Sequence, residues 1–134
     1  MAPSHIPFRG RIGTFRDGAL LLAIYCLWRE MRERPRDYPI LYPERETLSW
    51  NFDGAGPGCI DLALDRILST SAAIDEFRRL IDATGRSLLR YGDAIPYAEL
   101  VEYDEFAGYG RPQDCPTDLV TEVLDALRSL LSVS

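Results

Sequence analysis

Protein chemistry needs a nucleophile, a base or a set of metal ligands, and this sequence is sparing with all three. It has one histidine, His5, and three cysteines, Cys26, Cys59 and Cys115. It has no lysine, because all 15 basic residues are arginine. That removes Schiff-base chemistry, a P-loop and a lysine general base. Serine–histidine and cysteine–histidine catalysis both require a positioned imidazole, and His5 falls in a segment broken by Pro3, Pro7, Gly10 and Gly13. A cysteine–histidine zinc site fails on ligand count, because His5 has no nearby cysteine. The sequence therefore assigns no catalytic residue, no metal and no cofactor.

Carboxylates are the remaining reactive groups. Asp53, Asp61 and Asp65 are candidates for an all-oxygen metal site, with Asp61 and Asp65 sharing a helix face at i,i+4 spacing. Two acids so placed more often form a solvated face. The turn Asp53-Gly54-Ala55-Gly56-Pro57-Gly58 follows a possible strand and precedes a helix, as a phosphate cradle does. Its spacing is not GxGxxG, Pro57 removes a donor and Asp53 repels an anion, so it reads as a plain loop. It stays open as the place of a small-molecule or enzymatic pocket using carboxylates.

The most informative stretch runs from Tyr97 to Tyr109. Glu99, Glu102, Asp104 and Glu105 are interleaved there with Tyr97, Tyr103, Phe106 and Tyr109, and no base occurs before Arg111. Tyrosines supply rigid contact area and carboxylates a field that steers a basic partner. The same pattern also fits half-buried rings with solvated acids beside them. Tyr97, Glu99, Glu102, Tyr103, Asp104, Glu105 and Tyr109 are the candidate partner-binding residues. Asp114, Asp118, Glu122 and Asp125 would extend the same negative surface.

Charge supports this direction. The net charge is −6, and residues 91–134 hold only Arg111 and Arg128 against nine acids. An acidic total works against nucleic-acid and membrane binding and favours a basic protein partner. The arginines near the N-terminus are interleaved with Glu30 and Glu33, which are expected to pair with Arg29, Arg32 and Arg34 within one helix. The longest apolar run, Ala19 to Trp28, is about half a membrane-spanning helix and reads as buried. The stretch that follows it has no signal-peptide cleavage pattern. Widely spaced cysteines in odd number suit a reducing cytoplasm.

These residues need elements to position them. At 134 residues and 46% apolar content the chain fits a single domain, residues 1–134, with 1–13 as an irregular lead-in. A helix is predicted from an N-cap at Thr14 to about Arg34, stopped by Pro35 and apolar on nearly every side, hence central. Leu48, Trp50 and Phe52 alternate with Thr47, Ser49 and Asn51, which suggests a short strand pairing with Tyr38–Tyr42. A second helix follows through Ile60, Leu64, Ile67 and Leu68. A third starts after Ser69-Thr70-Ser71 and ends at Gly92. Pro96 opens a short fourth, and Leu119 to Leu131 form the clearest amphipathic stripe. The expected class is mainly α, a single compact helical domain of about five helices with at most one short β-hairpin near residues 38–52.

The run Leu64-Asp65-Arg66-Ile67-Leu68 through Phe77-Arg78-Arg79-Leu80-Ile81, then Tyr91-Gly92-Asp93-Ala94-Ile95-Pro96, resembles a layout of small bacterial toxin-immunity proteins. There, paired helices lead through a G-x-x-I-P step into another helix. The resemblance covers about half of the chain and carries no functional motif from which residue roles can be transferred. It implies a non-enzymatic cytoplasmic protein that occludes a toxin, often through an acidic face. A small-molecule or enzymatic domain at the Asp53–Gly58 turn, and a helical scaffold or homo-oligomer, are the alternatives.

Overall fold

The structure, a computed structural model, describes residues 3–52, 60–103 and 114–132. Its centre is helix α1 (Asp17–Glu33), which buries an unbroken run from Leu20 to Trp28. A helix apolar on every side must be covered from every side. Here α2 (Arg45–Phe52), α4 (Ser71–Leu88) and the C-terminal helix α5 (Thr117–Leu131) all pack on it. The mainly helical class read from the sequence is what the chain adopts.

The N-terminal segment is not an irregular lead-in. Strands β1 (Pro3–Phe8) and β2 (Arg11–Arg16) form an antiparallel hairpin in the register Phe8↔Arg11 to Pro3↔Arg16. The two-residue turn takes φ +49° at Arg9 and +80° at Gly10, the primed-turn geometry that matches strand twist. The pair flanking such a turn is hydrogen-bonded, and pair types alternate along the ladder. Parity therefore puts Pro7 and Pro3 at non-hydrogen-bonded pairs, where a missing N–H costs the sheet nothing. Ser4, Ile6 and Phe8 point inward and are all but fully buried. Thr14, expected to cap α1, lies within β2. The helix starts at Asp17, a buried acid that accepts a 2.6 Å hydrogen bond from the Ser4 hydroxyl.

The hairpin expected near residues 38–52 is absent. That region contains 3-10 turns at Pro35–Asp37 and Tyr42–Glu44, followed directly by α2. Leu48 and Asn51, three apart, face inward, whereas Trp50 is 56% exposed. The expected second helix shrinks to one turn, α3 (Leu64–Ile67), entered through a left-handed Ala63 at φ +49°. Asp61 lies before that turn, so Asp61 and Asp65 do not share a helix face. Each is occupied instead: Asp61 accepts from the Ala63 N–H and Asp65 from the Arg9 N–H.

Helix α4 is capped by the Thr70 hydroxyl, which accepts from the Ala73 N–H at 3.1 Å. It gives way to a 3-10 turn (Leu89–Tyr91) that ends at Gly92, φ +67°. Strand β3 (Ala94–Ile95) then pairs with β4 (Cys115–Pro116) immediately before α5. The inner stripe of α5 is Val120, Val123, Leu124, Leu127, Leu130 and Leu131, while Leu119 is 40% exposed. Its last carbonyls are satisfied by arginines from elsewhere: Arg78 donates to Leu131 O, and Arg11 to Ser129 O and Ser132 O. No helix among the described residues is long and apolar enough to cross a membrane.

Candidate functional site

One face of α1 carries Tyr25, Trp28, Arg29 and Arg32, which helical spacing stacks along a single side. The segment from Tyr91 to Tyr103 lies against it. Pro96 turns the chain into a 3-10 turn (Tyr97–Glu99), and residues 101–103 are helical. Arg32 grips both carboxylate oxygens of Glu102, at 3.0 and 2.8 Å, and its guanidinium lies 4.2 Å from the Trp28 ring centroid. The Tyr25 hydroxyl donates to Glu102 Oε1 at 3.1 Å. Arg29, with a side chain 11% exposed, donates to Glu99 O and to the Tyr91 hydroxyl.

The electrostatics follow from these contacts. The Arg32 hydrogen bonds, with that of Tyr25, hold the Glu102 carboxyl below the usual range. Burial, together with the Glu102 charge, pushes the Tyr25 phenol up to about 12. Burial likewise pushes the Cys26 thiol up to about 12, which leaves it no nucleophilic thiolate at neutral pH. Arg29 and Arg32 do not pair along their own helix with Glu30 and Glu33 as expected. Both reach across to the 99–102 segment, and among the described residues Arg34 is the arginine that pairs with Glu30, at 3.7 Å.

The expected partner face thus divides. Tyr103 points into the core, 6% exposed, its ring tilted against Tyr25 at a centroid distance of 5.2 Å. Glu102 spends its charge on Arg32. Asp104, Glu105 and Tyr109 lie outside the described residues, as does the Asp53–Gly58 turn. Tyr97 is half-buried, and its N–H donates to Asp114 Oδ1 at 2.8 Å. Glu99 is exposed, with Arg29 3.9 Å away.

The two acidic segments meet through β3 and β4. The Ala94↔Pro116 and Ile95↔Cys115 pairs, extended by the Tyr97–Asp114 bond, set residues 97–99 beside the start of α5. Asp118, Glu122 and Asp125 follow on the exposed side of α5. Asp125 pairs with Arg128, whereas Asp118 and Glu122 have no ion pair among the described residues. Exposed Leu119 and Val101, each about two-fifths accessible, supply apolar area in the same two segments. Helical spacing of Asp118, Glu122 and Asp125 was visible in the sequence, but the β3–β4 pairing that adds Glu99 and Asp114 had no local signal.

Among the described residues no group of three or more histidine, cysteine or acidic side chains is placed to hold a metal ion. His5 sits in β1, exposed, with Nδ1 3.0 Å from the Thr14 hydroxyl. No family model matches the sequence, and neither a curated protein nor a solved structure is similar to it.

Proposed function

We propose that this protein is a non-enzymatic binding domain, an immunity-type inhibitor that neutralises a basic toxin in the cytoplasm of the cell that makes it. The observation that supports this reading is the acidic rim joined by β3 and β4. Glu99, Asp114, Asp118 and Glu122 lie in the two segments that also expose the apolar side chains Val101 and Leu119. Carboxylates would steer a cationic surface into contact, and the apolar residues would anchor it once water is excluded. Inhibition would be by occlusion, with no chemistry required of this chain. The working face accordingly shifts from Glu102 and Tyr103, which are engaged internally, toward Glu99 and α5.

The test is a pull-down from the native cells with the wild-type chain and with an Asp118→Arg/Glu122→Arg variant. The expected result is one stoichiometric basic partner on the wild type, released by salt and missing from the variant. Protection of cells against that partner's toxicity should be lost in parallel. A partner that binds the variant equally well would overturn the face. Recovery of a homo-oligomer alone would favour a scaffold.

A further inference from the structure

A polar groove of about 450 Å³ opens between the C-terminal end of α1 and the middle of α4, a size typical of small-molecule sites. Arg79, Asp82 and Arg86 line it from one face of α4. Glu30 of α1 and Arg34, just past its end, stand opposite, with Asp37 and Tyr38 of the following turn.

Two independent observations distinguish this groove from an ordinary charged surface. The first is Tyr38. It is 3% exposed, yet its hydroxyl makes no hydrogen bond among the described residues and belongs to the groove lining. The hydroxyl is not itself sealed from solvent, since the one buried orphan side-chain atom among the described residues is Thr117 Oγ1, so it opens into the groove. Burial and the neighbouring Glu30 and Asp37 carboxylates hold it protonated, so it is available as a donor.

The second is the state of the charges. Arg34 approaches Glu30 only to 3.7 Å and Arg79 approaches Glu76 only to 3.8 Å, distances too long for hydrogen bonds. Arg86 has no ion pair among the described residues. The acids divide differently. Glu30 accepts from the Ser87 hydroxyl and Asp82 from Arg128, while Asp37 has no side-chain partner among the described residues. Unused hydrogen-bonding capacity is therefore mostly donor, with one carboxylate left over. Three guanidinium groups and three carboxylates line the groove, so it offers no net field to a simple anion. A molecule carrying both signs matches what is unused.

We propose that this groove binds a small zwitterion of amino-acid to dipeptide size. Its carboxylate would be held by Arg79, Arg86 and the Tyr38 hydroxyl, and its ammonium group by Asp37. The proposal is independent of the inhibitor reading, because the groove shares no residue with the acidic rim.

The experiment is a backbone-amide NMR titration of the full chain with the common amino acids and with alanyl-alanine. Acetate and methylammonium serve as single-charge controls. Saturable shifts confined to residues 34–38 and 79–86 are expected for a zwitterion and not for either control. Arg86→Ala and Tyr38→Phe should each weaken binding at least about tenfold, the loss typical of a hydrogen bond to a charged group. Helical circular dichroism should be unchanged in both, since one removes an exposed side chain and the other a single hydroxyl. Absence of any saturable shift up to about 10 mM ligand would overturn the proposal. So would an equal response to acetate alone, or wild-type affinity in both variants. Charge reversal at Asp118 and Glu122 should leave this titration unaltered, which separates its failure from that of the inhibitor reading.

Discussion

Glu102 shows how one residue's role depends on where its charge is spent. Read along the chain it is an acid in an acidic run, yet Arg32 and Tyr25 take up its oxygens. Because its folded pKa is depressed, the stabilisation is present above the ordinary carboxylate range. It is lost as pH falls through the lower, folded value. The pair is surface-accessible, so solvent screening limits the effect to about 0.5–1 kcal/mol. Urea unfolding of Glu102→Gln against wild type should show that difference at neutral pH and its disappearance in acid. Tyr25 has the opposite sign. Its phenol is raised to about 12, so the neutral form favours the fold. That contribution is complete below the ordinary phenol value near 10 and fades as pH rises through about 12. A phenolate absorbance titration should lose one tyrosine titrating near 12 in Tyr25→Phe.

At the scale of elements, buried polar groups act as joints between segments that have no other reason to meet. Glu76 of α4, 2% exposed, accepts from the N–H groups of Ile40 and Leu41 at 2.9 and 2.7 Å. It thereby fixes the turn that leads into α2. Glu76→Ala would orphan both donors and should cost about 2–3 kcal/mol in chemical denaturation. Glu76→Gln keeps one acceptor oxygen and should cost less. Asn51 plays a similar part at the other end of α2, donating to the Thr47 and Asp61 carbonyls and accepting from the Asp61 N–H. The β1–β2 turn rests on backbone geometry instead. A Cβ at Gly10 would meet nothing within 4 Å, so the cost of Gly10→Ala is conformational alone. At φ +80° it should be about 1 kcal/mol, read as a fall in Tm.

At the scale of the whole molecule, charge separates by face. The acidic rim follows β3, β4 and α5, and the mixed-sign groove lies between α1 and α4. Asp118 and Glu122 are exposed and unpaired among the described residues, so reversing them should change folding stability by no more than about 0.5 kcal/mol. Association with a basic partner should slow markedly in that variant. Wild-type association should in turn fall with ionic strength, as long-range steering does. Stopped-flow measurement at two salt concentrations distinguishes such steering from a purely apolar contact.

The sequence by itself determined the helical class, the central place of α1, the capped start of α4, the glycine that ends its 3-10 extension and the inner stripe of α5, Leu119 apart. Each is written in local periodicity or in a terminal residue, and local signals report which side of an element is apolar. It did not determine the hairpin. Pro3 and Pro7 read as breakers until the register places them at pairs that need no N–H. Nor did it determine α2, since a six-residue alternation also satisfies helical spacing when Leu48 and Asn51 are the buried pair. Tertiary structure alone decided the sites. Arg32 meets Glu102 across 70 residues of chain, Tyr97 meets Asp114, and Tyr38 lines a groove whose other wall is α4. The physical reason is that charge and hydrogen-bonding capacity are properties of residues, whereas whether they are spent or left free depends on which elements packing brings together.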